Sequence, residues 1–435
     1  MASSLDDLFH ESNFHNVSSL TTIYGATAIN GCNVDKLMVA MLKGKIVLFE
    51  YKKVDQSLVK IDKEVSFTYI PADAHVISID CFTCGARGLI IAVAFFKETN
   101  GKLTNYLNIY CNYTYDASDE KDSCQLETVA ENCRSFELEF VPFQLTHCKS
   151  RARKDCEALL QTVFIVLGGD SRIHIYAQDE NQGEFSEQTL DKYFPEFKDL
   201  PGVPMFVDIK ITNNEKMRIS AVGHATGDIS LFITDLTTEE WKLTTYHIQH
   251  DSPITSVRLF TKYTEVKIPE FMKRKFSTQD LPNHDHNIYH LLVTSAWENA
   301  VVYCFCADQG FEIPVLLENS SEHDCVTCCQ IADIDRDGVN DIIIGTYGQE
   351  LLVYKFNEPS SETYDPYEPV TLIPYWTRTF SYPIVNIMLQ DLTGDGLSEL
   401  IVISTKGLHI LQCNSASAIK ECKAKLLNLK RLKIK

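Results

Sequence analysis

Residues 341–356 read DIIIGTYGQELLVYKF, which is an apolar run, a short turn around Gly348, and a second apolar run ending on an aromatic residue. Alternating apolar runs of this length on both sides of a glycine turn favour two paired β-strands over a helix. The same pattern recurs along the chain, beginning at residues 37, 88, 162, 218, 290, 341 and 399. The sequence therefore predicts seven consecutive β-hairpins.

Further strand-like segments flank these hairpins. Five precede a hairpin, at residues 75–82, 204–211, 253–260, 325–333 and 383–391, and four follow one, at residues 64–70, 135–143, 241–248 and 372–380. Four antiparallel strands repeated radially describe the blade of a propeller, and one blade cannot bury both of its faces alone. We therefore predict an all-β fold, a seven-bladed β-propeller over residues 21–413.

The seventh repeat, residues 383–413, lacks an outer strand of its own in the sequence that follows it. We expect the N-terminal segment, residues 1–20, to close the ring, through a strand lying somewhere in residues 8–28. Residues 414–435 are expected to form a separate tail. Polar insertions are predicted to be surface loops at residues 116–132, 178–200, 262–287 and 357–369.

Composition excludes several classes of protein. A hydrophobic content of 45% argues against a disordered chain, and a net charge of −19 disfavours binding to nucleic acid. The longest apolar run, residues 89–96, is far shorter than the roughly 20 residues that cross a bilayer, and the first residues lack the apolar core of a signal peptide. With 15 scattered cysteines, these features predict a cytoplasmic protein with reduced thiols.

Two loops rich in oxygen ligands precede the last two hairpins. They read DIDRDGVND at residues 333–341 and DLTGDGLSE at residues 391–399. Oxygen atoms at alternating positions of a sharp glycine-containing turn converge on one point, and hard oxygen ligands suit Ca²⁺. The predicted calcium ligands are Asp333, Asp335, Asp337, the Val339 carbonyl and Asp341 in the first loop, and Asp391, Thr393, Asp395, the Leu397 carbonyl and Glu399 in the second.

A turn without metal is the alternative for both loops, because aspartate side chains can hold such a turn by hydrogen bonds to its backbone. The loops are not EF-hands, since position twelve is Ile344 in one and Val402 in the other, and both flanks are predicted strands. In either case the loops would stiffen their blades.

Other candidate sites are weaker. Cys81 with Cys84 and Cys325 with Cys328 have the spacing of a split zinc site, but they lie four repeats apart, so we favour ordinary thiols. The trio His284, His286 and His290 could bind a metal, but it accompanies a polar insertion, and we favour an exposed loop. No nucleophile elbow, P-loop or dinucleotide motif occurs, and the sequence does not indicate an enzyme.

The C-terminal tail differs in charge from the rest of the chain. Residues 419–435 contain seven Lys and Arg residues against one Glu. Apolar side chains at helical spacing, Ile419, Cys422, Leu426 and Leu429, predict one apolar helix face. Such a segment could contact an anionic membrane or an acidic partner, and the alternative is a solvated end.

Particular segments resemble known families. The two Asp-rich loops with their hairpins resemble the FG-GAP repeats of integrin α-subunit propellers. A more specific resemblance, to the kaptin family, spans most of residues 20–413. It rests on YIPADAHVISID at residues 69–80, LNIYC at 107–111, VPFQLTH at 141–147, TYGQELLVYK at 346–355, and DLTGDGLSEL with KGLHILQ within 391–412.

Resemblance to this family implies a non-catalytic subunit of the KICSTOR complex, alongside a second FG-GAP propeller subunit and a large scaffold subunit. It implies recruitment of a Rag-directed GTPase-activating complex to the lysosomal membrane, and restraint of TOR complex 1 signalling when nutrients are scarce. It also implies an alternative, an actin-filament-associated protein of lamellipodia and stereocilia. In that case the basic tail or Lys273–Lys275 would face the acidic filament.

Overall fold

A computed structural model describes residues 9–30, 35–54, 57–84, 88–111, 126–153, 160–179, 184–212, 215–237, 240–264, 288–357, 371–416, 418–420 and 422–423. Over these residues the chain is almost entirely β-structure and forms seven antiparallel sheets of four strands each. The chain divides into two compact units, one of residues 1–136 with 381–435 and one of residues 137–380.

The first unit begins with one strand and continues with blades one and two, each a sheet of four strands in chain order. A short helix precedes the last strand of blade two. The elements are β1 (Phe9–Asn16), β2 (Thr21–Ile29), β3 (Lys36–Met41), β4 (Ile46–Val54), β5 (Ser57–Val65), β6 (His75–Cys84), β7 (Gly88–Thr99), β8 (Lys102–Tyr110), α1 (Leu126–Glu131) and β9 (Cys133–Leu138).

The second unit holds blades three to six, each a sheet of four strands in chain order. The strands of blades three and four are β10 (Pro142–Ser150), β11 (Gln161–Gly168), β12 (Ile173–Gln178), β13 (Phe185–Gln188), β14 (Pro204–Ile211), β15 (Met217–His224), β16 (Asp228–Asp235) and β17 (Lys242–Gln249). Those of blades five and six are β18 (Ile254–Thr261), β19 (Tyr289–Ser295), β20 (Val301–Tyr303), β21 (Pro314–Leu316), β22 (Val326–Ala332), β23 (Asp341–Thr346), β24 (Glu350–Asn357) and β25 (Thr371–Thr379).

Short helices connect some of these strands. They are α2 (Leu190–Tyr193) with the 3₁₀-helix η1 (Pro195–Phe197), and α3 (Cys306–Gln309) with the 3₁₀-helix η2 (Ser320–His323). No helix among the described residues is long and apolar enough to cross a membrane.

Blade seven belongs to the first unit and contains both ends of the folded chain. Its strands β26 (Ile384–Gln390), β27 (Glu399–Ser404) and β28 (Gly407–Cys413) are followed in the sheet by β1, which pairs antiparallel with β28. The N-terminal strand therefore supplies the outer strand of the seventh sheet, at the position where the sequence lacked one. Blades seven and one share an apolar core that includes Leu37, Val39, Ile401 and Ile410.

Burial explains why the middle strands read as continuous apolar runs. The first eight residues of β7 are all buried, and every residue of β23 and of β27 is buried. A strand covered on both faces shows such a run, whereas an outer strand can carry charged side chains. Strand β5, at the outer edge of blade one, is exposed along most of its length. The predicted seven-bladed β-propeller is confirmed.

Two predicted outer strands were wrongly placed. In blade one the outer strand is β5, not residues 64–70. The prediction missed β5 because this solvent-facing strand mixes charged and apolar residues and so lacks a continuous apolar run. Tyr69 has a φ of 63°, which ends any extended segment there. In blade two the predicted segment 135–143 merges the end of β9 with the start of β10.

One predicted surface loop is instead part of a core. Residues 178–200 contain β13, α2 and η1, and the side chains of Tyr193, Phe194 and Phe197 are buried in the second unit. The segment's average polarity concealed these spaced aromatic residues. Within the insertion 116–132, Leu126, Val129 and Ala130 of α1 are buried as well. Most of insertions 262–287 and 357–369 lies outside the described residues.

Candidate functional site

The two Asp-rich loops occupy equivalent places in blades six and seven, each joining the first strand of its sheet to the second. The final acid of each loop is the first residue of that second strand, and it is buried. Asp341 accepts a 3.0 Å hydrogen bond from the backbone N–H of Ile334, and Glu399 accepts a 2.8 Å hydrogen bond from the N–H of Leu392. The last acid therefore fixes the start of its own loop.

The sharp bend of each loop depends on a glycine with positive φ, which is 97° at Gly338 and 87° at Gly396. Side chains other than glycine rarely adopt this conformation. The amide of each glycine donates to the first aspartate, at 2.9 Å from Gly338 to Asp333 and at 2.8 Å from Gly396 to Asp391. In each loop three acids lie close together, so that one carboxylate oxygen from each is within 4.8 Å of the other two. These acids are Asp333, Asp335 and Asp337 in the first loop, and Asp391, Asp395 and Glu399 in the second.

The first loop also contains a cation that the sequence analysis missed. Lys355, from strand β24, donates hydrogen bonds to Asp335 and, at 2.6 Å, to Asp337. Its Nζ lies 3.8 Å from Oδ1 of Asp341. The signal that could have identified it is the hairpin register: Ile342 pairs with Tyr354, so Lys355 lies beside Asp341 one residue further out.

Burial and ion pairing together determine the pKa values of Asp341 and Lys355 in the first loop. Burial raises the pKa of Asp341 to about 8, an effect that the positive charge of Lys355 opposes. Burial lowers the pKa of Lys355, but hydrogen bonds to Asp335 and Asp337 outweigh that effect and hold it above its ordinary value. The ammonium thus stays charged and balances part of the negative charge of the loop.

In the second loop the acids are held by backbone amides and a hydroxyl. Thr393 donates its Oγ1 proton to Glu399 at 2.9 Å, and the amides of Gly394 and Gly396 donate to Asp391 at 2.8 Å. The pKa of Glu399 is raised to about 7, mainly by burial and to a smaller extent by the nearby Asp391 and Asp395, while the hydrogen bonds from Thr393 and Leu392 oppose the rise.

The donor set of the second loop fits a hard cation, because the predicted ligands from Asp391 to Glu399 all offer oxygen. The hydrogen bonds from backbone to Asp391 are also those of a turn that needs no metal. Calcium at the second loop therefore stays a prediction, whereas in the first loop the Lys355 ammonium already lies among the predicted ligands.

Thiols and histidines elsewhere show no shared site among the described residues. The described cysteines form no disulfide with one another, and buried Cys81 donates to the Ala28 carbonyl at 3.3 Å. The expectation of an exposed loop was wrong for His290, which is buried on β19 beside Phe260 and Phe305. His284 and His286 lie outside the described residues.

The tail is described only at its start. Residues 415–416, 418–420 and 422–423 are helical, and Ile419 and Cys422 are exposed. Leu426 and Leu429, on the predicted apolar face, lie outside the described residues, as do Lys273–Lys275.

Seven four-stranded sheets place the chain in the class of seven-bladed β-propellers. The family model for KICSTOR complex protein kaptin matches residues 9–423. The mouse (Mus musculus) KICSTOR complex protein kaptin is 36% identical over 405 residues, covering 92% of this chain and 87% of the mouse protein. The chain belongs to the kaptin family.

Proposed function

We propose that this chain is a non-catalytic subunit of a KICSTOR complex. The observation that carries the proposal is the extent of the family match, which runs from β1, the strand that completes blade seven, to the helical residues after β28. The match therefore covers all seven blades, and the mouse relative is named as a member of this complex.

The family resemblance supports a more specific role. The chain pairs with a second FG-GAP propeller subunit, is held by a large scaffold subunit, and helps recruit a Rag-directed GTPase-activating complex to lysosomes. In this role it restrains TOR complex 1 signalling when nutrients are limiting. A propeller suits such work because it presents rims and outer strand edges to which other proteins can bind.

We also propose that the second Asp-rich loop binds calcium as a structural ion. Its donors are the side chains of Asp391, Thr393, Asp395 and Glu399 and the Leu397 carbonyl. Calcium should raise the melting temperature of the wild-type protein and should not raise it for Asp395→Asn. Equal melting curves with and without calcium would contradict this assignment.

The experiment that tests complex membership is affinity purification of the tagged chain from cells, followed by mass-spectrometric identification of its partners. We expect a large scaffold subunit and a second propeller subunit in stoichiometric amounts. A tagged seven-bladed propeller of another family, expressed at the same level, is the control. Recovery of the chain without either subunit would contradict the proposal.

A further inference from the structure

Lys355 lies where the carboxylates of the first Asp-rich loop converge. Its ammonium is hydrogen-bonded to Asp335 and Asp337, and the ring centroid of Tyr375 lies 4.9 Å from Nζ. The side chains of Lys355 and Asp335 are each 14% exposed, and that of Asp341 is fully buried. This is a largely enclosed positive charge, unlike a lysine that reaches across an exposed surface.

The Lys355 ammonium compensates negative charge in the first Asp-rich loop. Among the described residues, Oδ1 of Asp341 is buried and accepts no hydrogen bond, and the Lys355 ammonium lies 3.8 Å from it. A buried carboxylate that lacks a compensating cation is strongly unfavourable. Removing the lysine charge would leave Asp335 and Asp337 without this cation and would disfavour the charged form of Asp341 still further.

The second loop differs at the matching position. In blade seven Leu400 pairs with Leu411, so the residue one step further out, beside Glu399, is Gln412. In blade six the same step places Lys355 beside Asp341. The two loops share the backbone bonds to their first and last acids, but the facing strand places a cation beside the last acid in one loop and a neutral amide in the other.

We propose that Lys355 is the resident cation of the first Asp-rich loop, that it closes this loop to divalent metal ions, and that its removal opens a calcium site there. Ca²⁺ takes six to eight oxygen ligands at 2.3–2.6 Å, roughly the space that the ammonium fills. The ammonium already occupies carboxylate oxygens of Asp335 and Asp337 that would ligate the ion, and its positive charge repels a second cation at the same place. The inference concerns the loop alone and does not depend on complex membership.

The test uses the full-length chain with the second loop disabled by Asp391→Asn and Asp395→Asn. Any heat of calcium binding that calorimetry then measures comes from a site other than the second loop. With Lys355 in place we expect no calcium binding up to millimolar concentrations. Adding Lys355→Met, which keeps most of the length of the side chain and removes its charge, should create binding at about one ion per chain, at least ~10-fold tighter than in the parent. Asp335→Asn should abolish that gain, and Lys355→Arg, which keeps the charge, should not produce it.

A second arm needs no metal. Without calcium, Lys355→Met should lower the melting temperature by several degrees, and adding Asp337→Asn should restore part of the loss by removing a repelling charge. Lys45→Met is the matched control, because the 2.9 Å contact of Lys45 with Glu64 is exposed and should matter little. The proposal would be overturned if the protein with Lys355 in place bound calcium and if Asp335→Asn removed that binding. So would a folded Lys355→Met protein that gains no calcium binding, or the absence of rescue by Asp337→Asn.

Discussion

At the scale of single residues, a buried ion pair fixes a segment that looks like a loop. Arg218 of β15 donates from Nε and Nη2 to the two carboxylate oxygens of Glu196, both at 2.8 Å, and neither side chain is more than 1% exposed. The guanidinium lies 4.4 Å from the ring centroid of Phe194 and 4.8 Å from that of Trp241. Glu196 is thereby held in the core beside the aromatic residues of its segment.

The first prediction concerns this pair. Arg218→Met should lower the free energy of unfolding by about 3–5 kcal/mol, because it leaves a buried carboxylate without its partner. Adding Glu196→Leu should recover most of the loss, since no uncompensated charge then remains. Urea denaturation measures both values.

The control for this pair lies in the same segment. Lys198 contacts Asp191 at 2.8 Å, but both side chains are more than half exposed. Lys198→Met should therefore change the free energy of unfolding by at most about 1 kcal/mol. Equal losses for Lys198→Met and Arg218→Met would contradict the assigned role of burial.

The second prediction concerns pH. Burial, and to a smaller extent the charge of Lys262, lower the pKa of His290 from 6.5 to about 4. A histidine whose pKa is depressed in the folded state stabilises the fold above pH 6.5, and that stability is lost as the pH falls from 6.5 towards 4. At pH 5 the loss from His290 should reach about 2 kcal/mol.

His290→Phe removes this titration while keeping an aromatic ring beside Phe260. Its free energy of unfolding, measured in urea at pH 7.5 and at pH 5, should fall less between the two values than that of the wild type. The comparison across pH cancels any constant effect of the added ring. Parallel decreases for the two proteins would show that His290 does not titrate as described.

At the scale of elements, strand β1 is the clearest case of structure assembled from distant sequence. It pairs with β28 from Phe9 to Asn16, with a bulge between Glu11 and Asn13. Glu11 contacts Nδ1 of His409 at 2.8 Å, across 398 positions of the chain. Phe9 in the strand and Val17 just after it are buried, so this segment contributes to the core as well as to the sheet.

The third prediction follows from this pairing. Deleting residues 1–20 should lower the melting temperature sharply, because it exposes the edge of β28 and uncovers apolar surface that β1 protects. Thermal unfolding followed by circular dichroism is the measurement. Truncation after Asn414, which leaves the strands of all seven sheets intact, is the control and should change the melt little. An unchanged melt in the N-terminal deletion would contradict the role of β1.

At the scale of the whole molecule, the C-terminal tail differs from the rest of the chain in its charge and in how far the family match covers it. The net charge is −19, although the last residues are strongly basic. The match to the kaptin family stops at residue 423, within this tail. The tail is therefore the part of the chain about which the family comparison says least.

The fourth prediction tests the actin-binding alternative through the tail. If this segment binds filaments, the full-length chain should co-sediment with them, binding should weaken steeply as salt increases, and truncation after Asn414 should abolish it. Undetectable or salt-insensitive pelleting would argue against filament binding by the tail. The outcome is independent of the affinity purification that tests complex membership.

The sequence alone determined the repeat. Each hairpin consists of two apolar runs and a short turn, and such neighbours in the chain pair through local backbone geometry, so residues 341–356 predict β23 and β24 without knowledge of the rest. The spacing of acids and glycine likewise predicted both Asp-rich loops, because a short turn is governed by its own residues.

Only the tertiary structure decided features that depend on distant or facing residues. The ammonium of Lys355 enters the first loop from another strand, the pair of Arg218 with Glu196 joins two segments, and β1 meets β28 at opposite ends of the chain. A sequence pattern records which side chains alternate along one segment. It does not record which segment will cover them, and that covering decides which charges must be paired and which polar segments become buried.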